Sequence, residues 1–217
     1  MILNDSIYLI IGTGTDIGKT FLLENICRKL KKAGTAFDAI KPVISGFSAD
    51  DPQSDSAKIL NILGKDLSKE NFDTISPWRF SQPISPNLAA QKENKTIDFL
   101  QVVNFCQEKI NQAKQSNTFL FIESAGGAMT PITDDKTYLD LAEALHVNVI
   151  LLGANYLGSI SHSLCTIEAL RSRHITPEII LINDHIDKKS DTNIAQTVAV
   201  IENISKIKTL PLDVFLI

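Results

Sequence analysis

The sequence is poor in cysteine, has no excess of positive charge and contains no long apolar run, and each absence removes a class of function. Only Cys27, Cys106 and Cys165 occur among 217 residues. Odd in number and far apart, they suit neither a disulfide framework nor a metal site. Each falls within an apolar helical pattern and is expected to be a buried free thiol. The formal net charge is -4, with both signs scattered, unlike the basic stripe of a nucleic-acid binder. No apolar run approaches the roughly 20 residues that span a bilayer. The first residues, Met1-Ile2-Leu3-Asn4-Asp5-Ser6, lack the basic-then-apolar order of a secretory signal. The expectation is a cytoplasmic protein with no membrane and no nucleic-acid partner. No repeat, low-complexity tract or linker interrupts the chain, so one domain over residues 1–217 is expected. The four histidines show no metal spacing.

What is present is a strand-then-helix pattern. Ile7 to Ile11 is a continuous apolar run, as in a strand buried on both faces. Phe21, Leu22, Leu23, Ile26, Cys27, Leu30 and Ala33 then recur at helical spacing, and Gly34 ends that helix. Strands are expected at Ala36–Ile40, Phe119–Ile122, Val147–Leu152 and Ile179–Ile182. Helices are expected at Ser56–Leu63, around Phe99–Ala113, at Ser159–Ser172 and at Thr192–Ile204, with a short segment at Ile207–Leu210. Strands alternating with helices predict an α/β fold, a mainly parallel sheet with helices on both faces. Ligands of such sheets bind beyond the C-terminal strand ends.

Gly12-Thr13-Gly14-Thr15-Asp16-Ile17-Gly18-Lys19-Thr20 lies between the first strand and the first helix, the context that makes a phosphate loop. Its glycines expose backbone N–H groups to phosphate, and the helix N-terminus adds partial positive charge. Lys19 would reach the terminal phosphates and the Thr20 hydroxyl would coordinate Mg²⁺. Thr13 stands where the usual pattern has its first glycine.

Further candidates follow other strands. Lys41, before Pro42, would stabilise negative charge on a phosphoryl group or an anionic substrate, or is a surface lysine beside a turn. Ser45 is close enough in sequence to help hold that substrate. Glu123 ends an apolar strand, the usual second support for Mg²⁺. Asp55 is a third oxygen donor or a helix cap. Asn183-Asp184 reads a purine edge or forms a turn. Leu157 to His162 enters a helix whose free N–H groups bind a carboxylate or are simply capped. Trp78, with Pro77, Pro83 and Pro86, is expected to shape a loop near the substrate.

Together these motifs resemble the ATP-dependent dethiobiotin synthetases of the P-loop NTPase superfamily. The resemblance runs from about Tyr8 to Pro211. It rests on Gly12 to Thr20, Lys41-Pro-Val-Ile-Ser-Gly46, Ser54-Asp55, Ser85-Pro86, Glu123-Ser-Ala-Gly-Gly127 with Thr130-Pro131, Leu157-Gly158 with His162, and Asn183-Asp184. It implies a single-domain P-loop NTPase fold and a cyclo-ligase of biotin biosynthesis. Its substrates would be ATP, CO₂ and 7,8-diaminopelargonate, with Mg²⁺ as cofactor and a homodimer as the assembly. It further implies catalytic roles for Lys41 and Lys19. ATP would contact Thr15, Asp16, Ile17, Gly18, Lys19, Thr20, Phe21, Asp55, Glu123, Asn183 and Asp184. Substrate would contact Thr15, Lys41, Ser45 and, across the dimer, Gly158 and Ser159. The metal would lie among Thr20, Asp55 and Glu123. Gly14, Ser124 and Ser161 depart from the family's usual Asp, Gly and Asn. A nucleotide-dependent switch ATPase of the same superfamily is the alternative. A corrinoid-amidating ligase would need a further glutamine-hydrolysing domain.

Overall fold

The computed structural model describes residues 3–185 and 193–217. Met1, Ile2 and the predicted helix start at Thr192 lie outside them. Strand β1 (Ile7–Gly12) is buried along its whole length. It pairs in parallel with β5 (Phe119–Gly127) on one side and β6 (Asn148–Ala154) on the other. β2 (Phe37–Ile40) borders β5, while β7 (Ile179–Asn183) and β8 (Thr209–Pro211) extend the far side. The order is β2-β5-β1-β6-β7-β8, and every pairing is parallel. A two-stranded parallel ribbon, β3 (Val43–Ser45) with β4 (Trp78–Phe80), lies beside this sheet.

Parallel neighbours need crossovers, and these carry the helices. The step β1 to β2 passes over β5 by way of α1 (Lys19–Lys32), whereas β5 to β6 passes back over β1 by way of α6 (Tyr138–Leu145). Right-handed crossovers in opposite directions lie on opposite faces, so the sheet is covered on both sides. α5 (Phe99–Ser116), α7 (Ser159–Arg171) and α8 (Ile194–Ser205) complete the longer helices. Their boundaries follow local chemistry. Asp98 accepts the Leu100 and Gln101 N–H groups to start α5, and Asn117 ends it at φ 50°. Thr137 and Asp140 form a reciprocal capping box at α6, satisfying donors that a helix start leaves free.

Two sequence expectations are corrected. Cys165 is exposed, while Cys27 and Cys106 are buried, because α7 turns Ser159, Ser163, Ile167 and Leu170 inward and leaves Cys165 off that stripe. Trp78 is no loop residue: β4 pairs it with Val43, and its ring meets Phe105 edge-on at 5.9 Å. Among the described residues no helix is long and apolar enough to cross a membrane.

Candidate active site

The segment after β1 folds back over its own beginning. A Cβ on Gly12 would lie 2.6 Å from the Ile17 side chain and 2.9 Å from the Gly14 carbonyl. Only a glycine leaves room for this turn. Thr13 anchors the loop by donating its N–H to Leu152 O at 2.9 Å. Gly18, at φ +95°, caps α1, and the helix begins when Leu22 N–H donates to Gly18 O. The loop thus ends on a helix N-terminus, where free N–H groups and the dipole both favour an anion.

The register brings the other strand ends to this loop. Ile40 stands opposite Ile122, so the next residues, Lys41 and Glu123, meet. Glu123 also pairs with Ile10 of β1, two residues before Gly12. Neighbouring strands are about 4.8 Å apart, so the three strand ends lie within side-chain reach of each other. The Lys41 amine donates to Glu123 Oε1 at 2.8 Å and is ion-paired with Asp55. Thr20 Oγ1 donates to the same Glu123 oxygen at 2.7 Å. Asp55 opens α2 (Asp55–Leu63), whose cap is Ser54, accepting from Ala57 N–H. Asp55 therefore has its carboxylate free for Lys41 instead of spending it on the cap.

Glu123 is 1% exposed, and its second oxygen has no hydrogen-bond partner among the described residues. A buried carboxylate oxygen left unpaired is costly, which suits a site that takes a cation. Among the described residues no group of three or more His, Cys, Asp and Glu could hold a metal. A hydroxyl and two carboxylates are nevertheless all-oxygen donors. That set fits Mg²⁺, which keeps waters and phosphate oxygens in its shell.

The electrostatics separate the two lysines. Burial, reinforced by repulsion from Lys41, lowers Lys19 to about 8, against the pull of Glu123, Asp55 and Asp16. Burial opposes the charge on Lys41 too, but Glu123 and Asp55 outweigh it and hold this amine above the ordinary lysine range. Asp55 is kept below the usual carboxylate range because Lys41 outweighs its burial. Lys19 donates to Gly14 O at 2.9 Å and curls back over the loop.

These groups line a cleft of about 950 Å³. Thr15, Asp16, Gly18, Lys19, Thr20, Phe21, Lys41, Ser45, Asp55 and Glu123 all face it. Phe21, read from sequence as part of the apolar stripe of α1, is 47% exposed at its rim. Ile17, Asn183, Asp184, Gly158 and Ser159 are not in the lining. Ile17 packs inward, and Asn183 is buried with its amide on Ile17 O. Asp184 accepts from Asn155 Nδ2 at 2.6 Å. Ser159 is buried at the start of α7, and its hydroxyl accepts from Tyr156 N–H. Ser124 is buried as well, with its hydroxyl turned to Gly126 O. The cleft walls also include Lys58, Ile84 and Met129. The only sequence hint of these was their closeness to Asp55, Ser85-Pro86 and Thr130-Pro131.

A phosphate loop on a parallel sheet, with a lysine, a hydroxyl and two carboxylates around it, defines a nucleotide-binding protein of the P-loop NTPase class. A family model described as an AAA domain matches residues 6–212. The ATP-dependent dethiobiotin synthetase BioD of Caulobacter vibrioides (strain NA1000 / CB15N) is 37% identical over 81% of this chain and 78% of its own. The protein of that name from Phenylobacterium zucineum (strain HLK1) is 36% identical over 88% and 81%. That from Methanocaldococcus jannaschii is 30% identical over 93% and 90%. The chain belongs to the ATP-dependent dethiobiotin synthetase family. Among solved structures, a ParA family ATPase from Chlorobium tepidum TLS shares the fold at TM-score 0.54 and 15% identity, over 95% of this chain and 83% of that one. Chloroplast FtsY from Physcomitrella patens does so at 0.53 and 11%, over 96% of this chain, which spans 58% of the FtsY chain.

Proposed function

We propose that this chain is a single-domain cyclo-ligase that uses ATP to join CO₂ to 7,8-diaminopelargonate and close the ureido ring of dethiobiotin. The observation that carries the reading is the meeting of Lys41, Glu123, Asp55 and Thr20 beside the phosphate loop, in one cleft with Lys19. In this reading one substrate amine takes up CO₂ as a carbamate. A carbamate oxygen attacks the γ-phosphorus and ADP leaves. The second amine then attacks the carbonyl carbon, and phosphate departs as the ring closes.

The protein's part is positioning and charge. The loop N–H groups and Lys19 hold the phosphates. Lys41, charged at neutral pH, faces the carbamate and the phosphoryl group in transit, where a fixed cation lowers the barrier. Ser45 holds the diamine. Thr20, Asp55 and Glu123 would hold Mg²⁺, which when bound would supply positive charge against the negative charge of the nucleotide. No enzyme nucleophile is needed. Gly158, exposed at the start of α7, faces the cleft of a second copy rather than its own, and the buried Ser159 shapes that turn from within its own subunit, which makes the working form a homodimer. A cytoplasmic location fits the substrates.

The test is purified protein with ATP, Mg²⁺, bicarbonate and the diamine, following ADP and the cyclic urea. Folded protein that yields neither refutes the proposal. Sedimentation velocity tests the dimer, and a monomer at working concentration would remove Gly158 from the site.

A further inference from the structure

Asn183 closes β7 and is 3% exposed. Its side chain is oriented by partners on both ends. Nδ2 donates to the main-chain carbonyl of Ile17 at 3.0 Å, and Oδ1 accepts the His185 N–H at 3.0 Å. A flipped amide would set oxygen against the Ile17 carbonyl and an NH₂ group against an N–H, so these partners decide which end is which. Its own carbonyl takes the Asn155 N–H at 2.8 Å. The amide is therefore committed to the phosphate loop from beneath.

Ile17 directly precedes Gly18 and Lys19. In a trans peptide the carbonyl and the following N–H point in opposite directions, and no cis peptide occurs among the described residues. Holding the Ile17 carbonyl toward β7 therefore aims the Gly18 N–H away from β7. Gly18 itself borders the cleft. A Cβ on it would lie 2.5 Å from Asn183 Nδ2, so amide and loop are packed without spare room.

We propose that Asn183 is a positioning residue for the phosphate loop. It acts through the Ile17–Gly18 peptide to hold the loop's N–H groups toward an oligophosphate, and it does so whatever base the nucleotide carries. The proposal rests on the nucleotide-binding reading above and goes beyond the base contact that family resemblance implies for this residue.

The test compares Mg·ATP with magnesium tripolyphosphate, which has no base, by calorimetry on wild type and Asn183→Asp. The aspartate keeps the shape and the acceptor for the His185 N–H, but sets an oxygen against the Ile17 carbonyl. Both probes are expected to weaken by the same factor, roughly tenfold or more. KM for ATP should rise by that factor while KM for the diamine stays. Loss of general stability alone would lower the fraction that binds without changing the affinity of that fraction. If Asn183→Asp does not fold, Asn183→Ala removes the strut and leaves no repelling oxygen. Tripolyphosphate affinity at the wild-type level in a folded variant overturns the proposal, whether or not ATP is weakened. Wild type that binds neither probe refutes the nucleotide-binding reading, and this proposal with it.

Discussion

Lys41 and Glu123 are 82 residues apart in the chain, yet the amine lies 2.8 Å from the carboxylate. The pairing of β2 with β5 makes them neighbours in register. Both side chains are almost fully withdrawn from solvent. Each is therefore tolerable only because it is paired, the amine with Glu123 and Asp55 and the carboxylate with Lys41 and the Thr20 hydroxyl.

Lys41→Met should consequently damage both stability and turnover. Deleting one partner of a buried pair costs about 3–5 kcal/mol, and losing a cation aimed at the transition state costs roughly 100-fold or more in turnover. Urea unfolding and steady-state kinetics read the two effects. The double variant Lys41→Met with Glu123→Gln should regain much of the stability and none of the turnover. Near-normal turnover in the single variant would take Lys41 out of the chemistry.

The buried amine of Lys19 predicts a pH dependence with a definite sign. Burial lowers its pKa to about 8 in the folded chain, below the ordinary lysine value of 10.5. Between those values the unfolded chain holds a proton that the folded chain lacks, so this group makes stability rise with pH across that window. Phosphate binding works the other way, because it needs the ammonium. ADP affinity should be level just below pH 8 and fall toward about tenfold per pH unit above it. Calorimetry in two buffers of different ionisation enthalpy should show proton uptake on binding near pH 8. An affinity that stays level well above that pH would remove Lys19 from the phosphates.

Gly18→Ala should be poorly tolerated for two separate reasons. The residue sits at φ +95°, where an L side chain costs about 1–2 kcal/mol. The new methyl would also meet Asn183 Nδ2 at 2.5 Å. A lowered denaturation midpoint together with lost ATP binding is expected. A variant with wild-type stability and affinity would show that the loop has other conformations available.

Ser163→Ala should go the opposite way. Ser163 is fully buried in α7, and its hydroxyl has no hydrogen-bond partner among the described residues. Removing an unsatisfied buried hydroxyl is neutral or stabilising, by up to about 1 kcal/mol. Thermal and urea unfolding would check this, and a clear loss of stability would reveal a bound water or other partner at that hydroxyl.

The legible parts of this molecule are those whose causes are local. The apolar run at Ile7–Ile11, the glycine spacing after it and the helical stripe from Leu22 to Leu30 place the phosphate loop within a residue or two. Some short elements were legible, as β2 and α2 show, but others were not. α3 (Lys69–Ile75), α4 (Pro86–Lys92) and the β3–β4 ribbon have too few residues to display a period. Their stability comes from contacts such as Phe47 against Phe72 at 5.0 Å, and no window of sequence contains both partners. Cys165 was misread for a related reason. An apolar pattern shows that a helix has a buried face, but not which neighbouring residue falls just outside it.

The sequence by itself determined the loop chemistry, the alternation of strands and helices, and the set of charged residues available at strand ends. Glycine conformations, cap bonds and periodicity act over a few residues, so they can be read in order. Only the tertiary structure decided that β5 lies between β2 and β1, which seats Glu123 between Lys41 and Thr20. Only it turned Asn183 beneath the loop. Parallel pairing joins segments far apart in the chain, and its register and neighbours follow from packing the whole core at once.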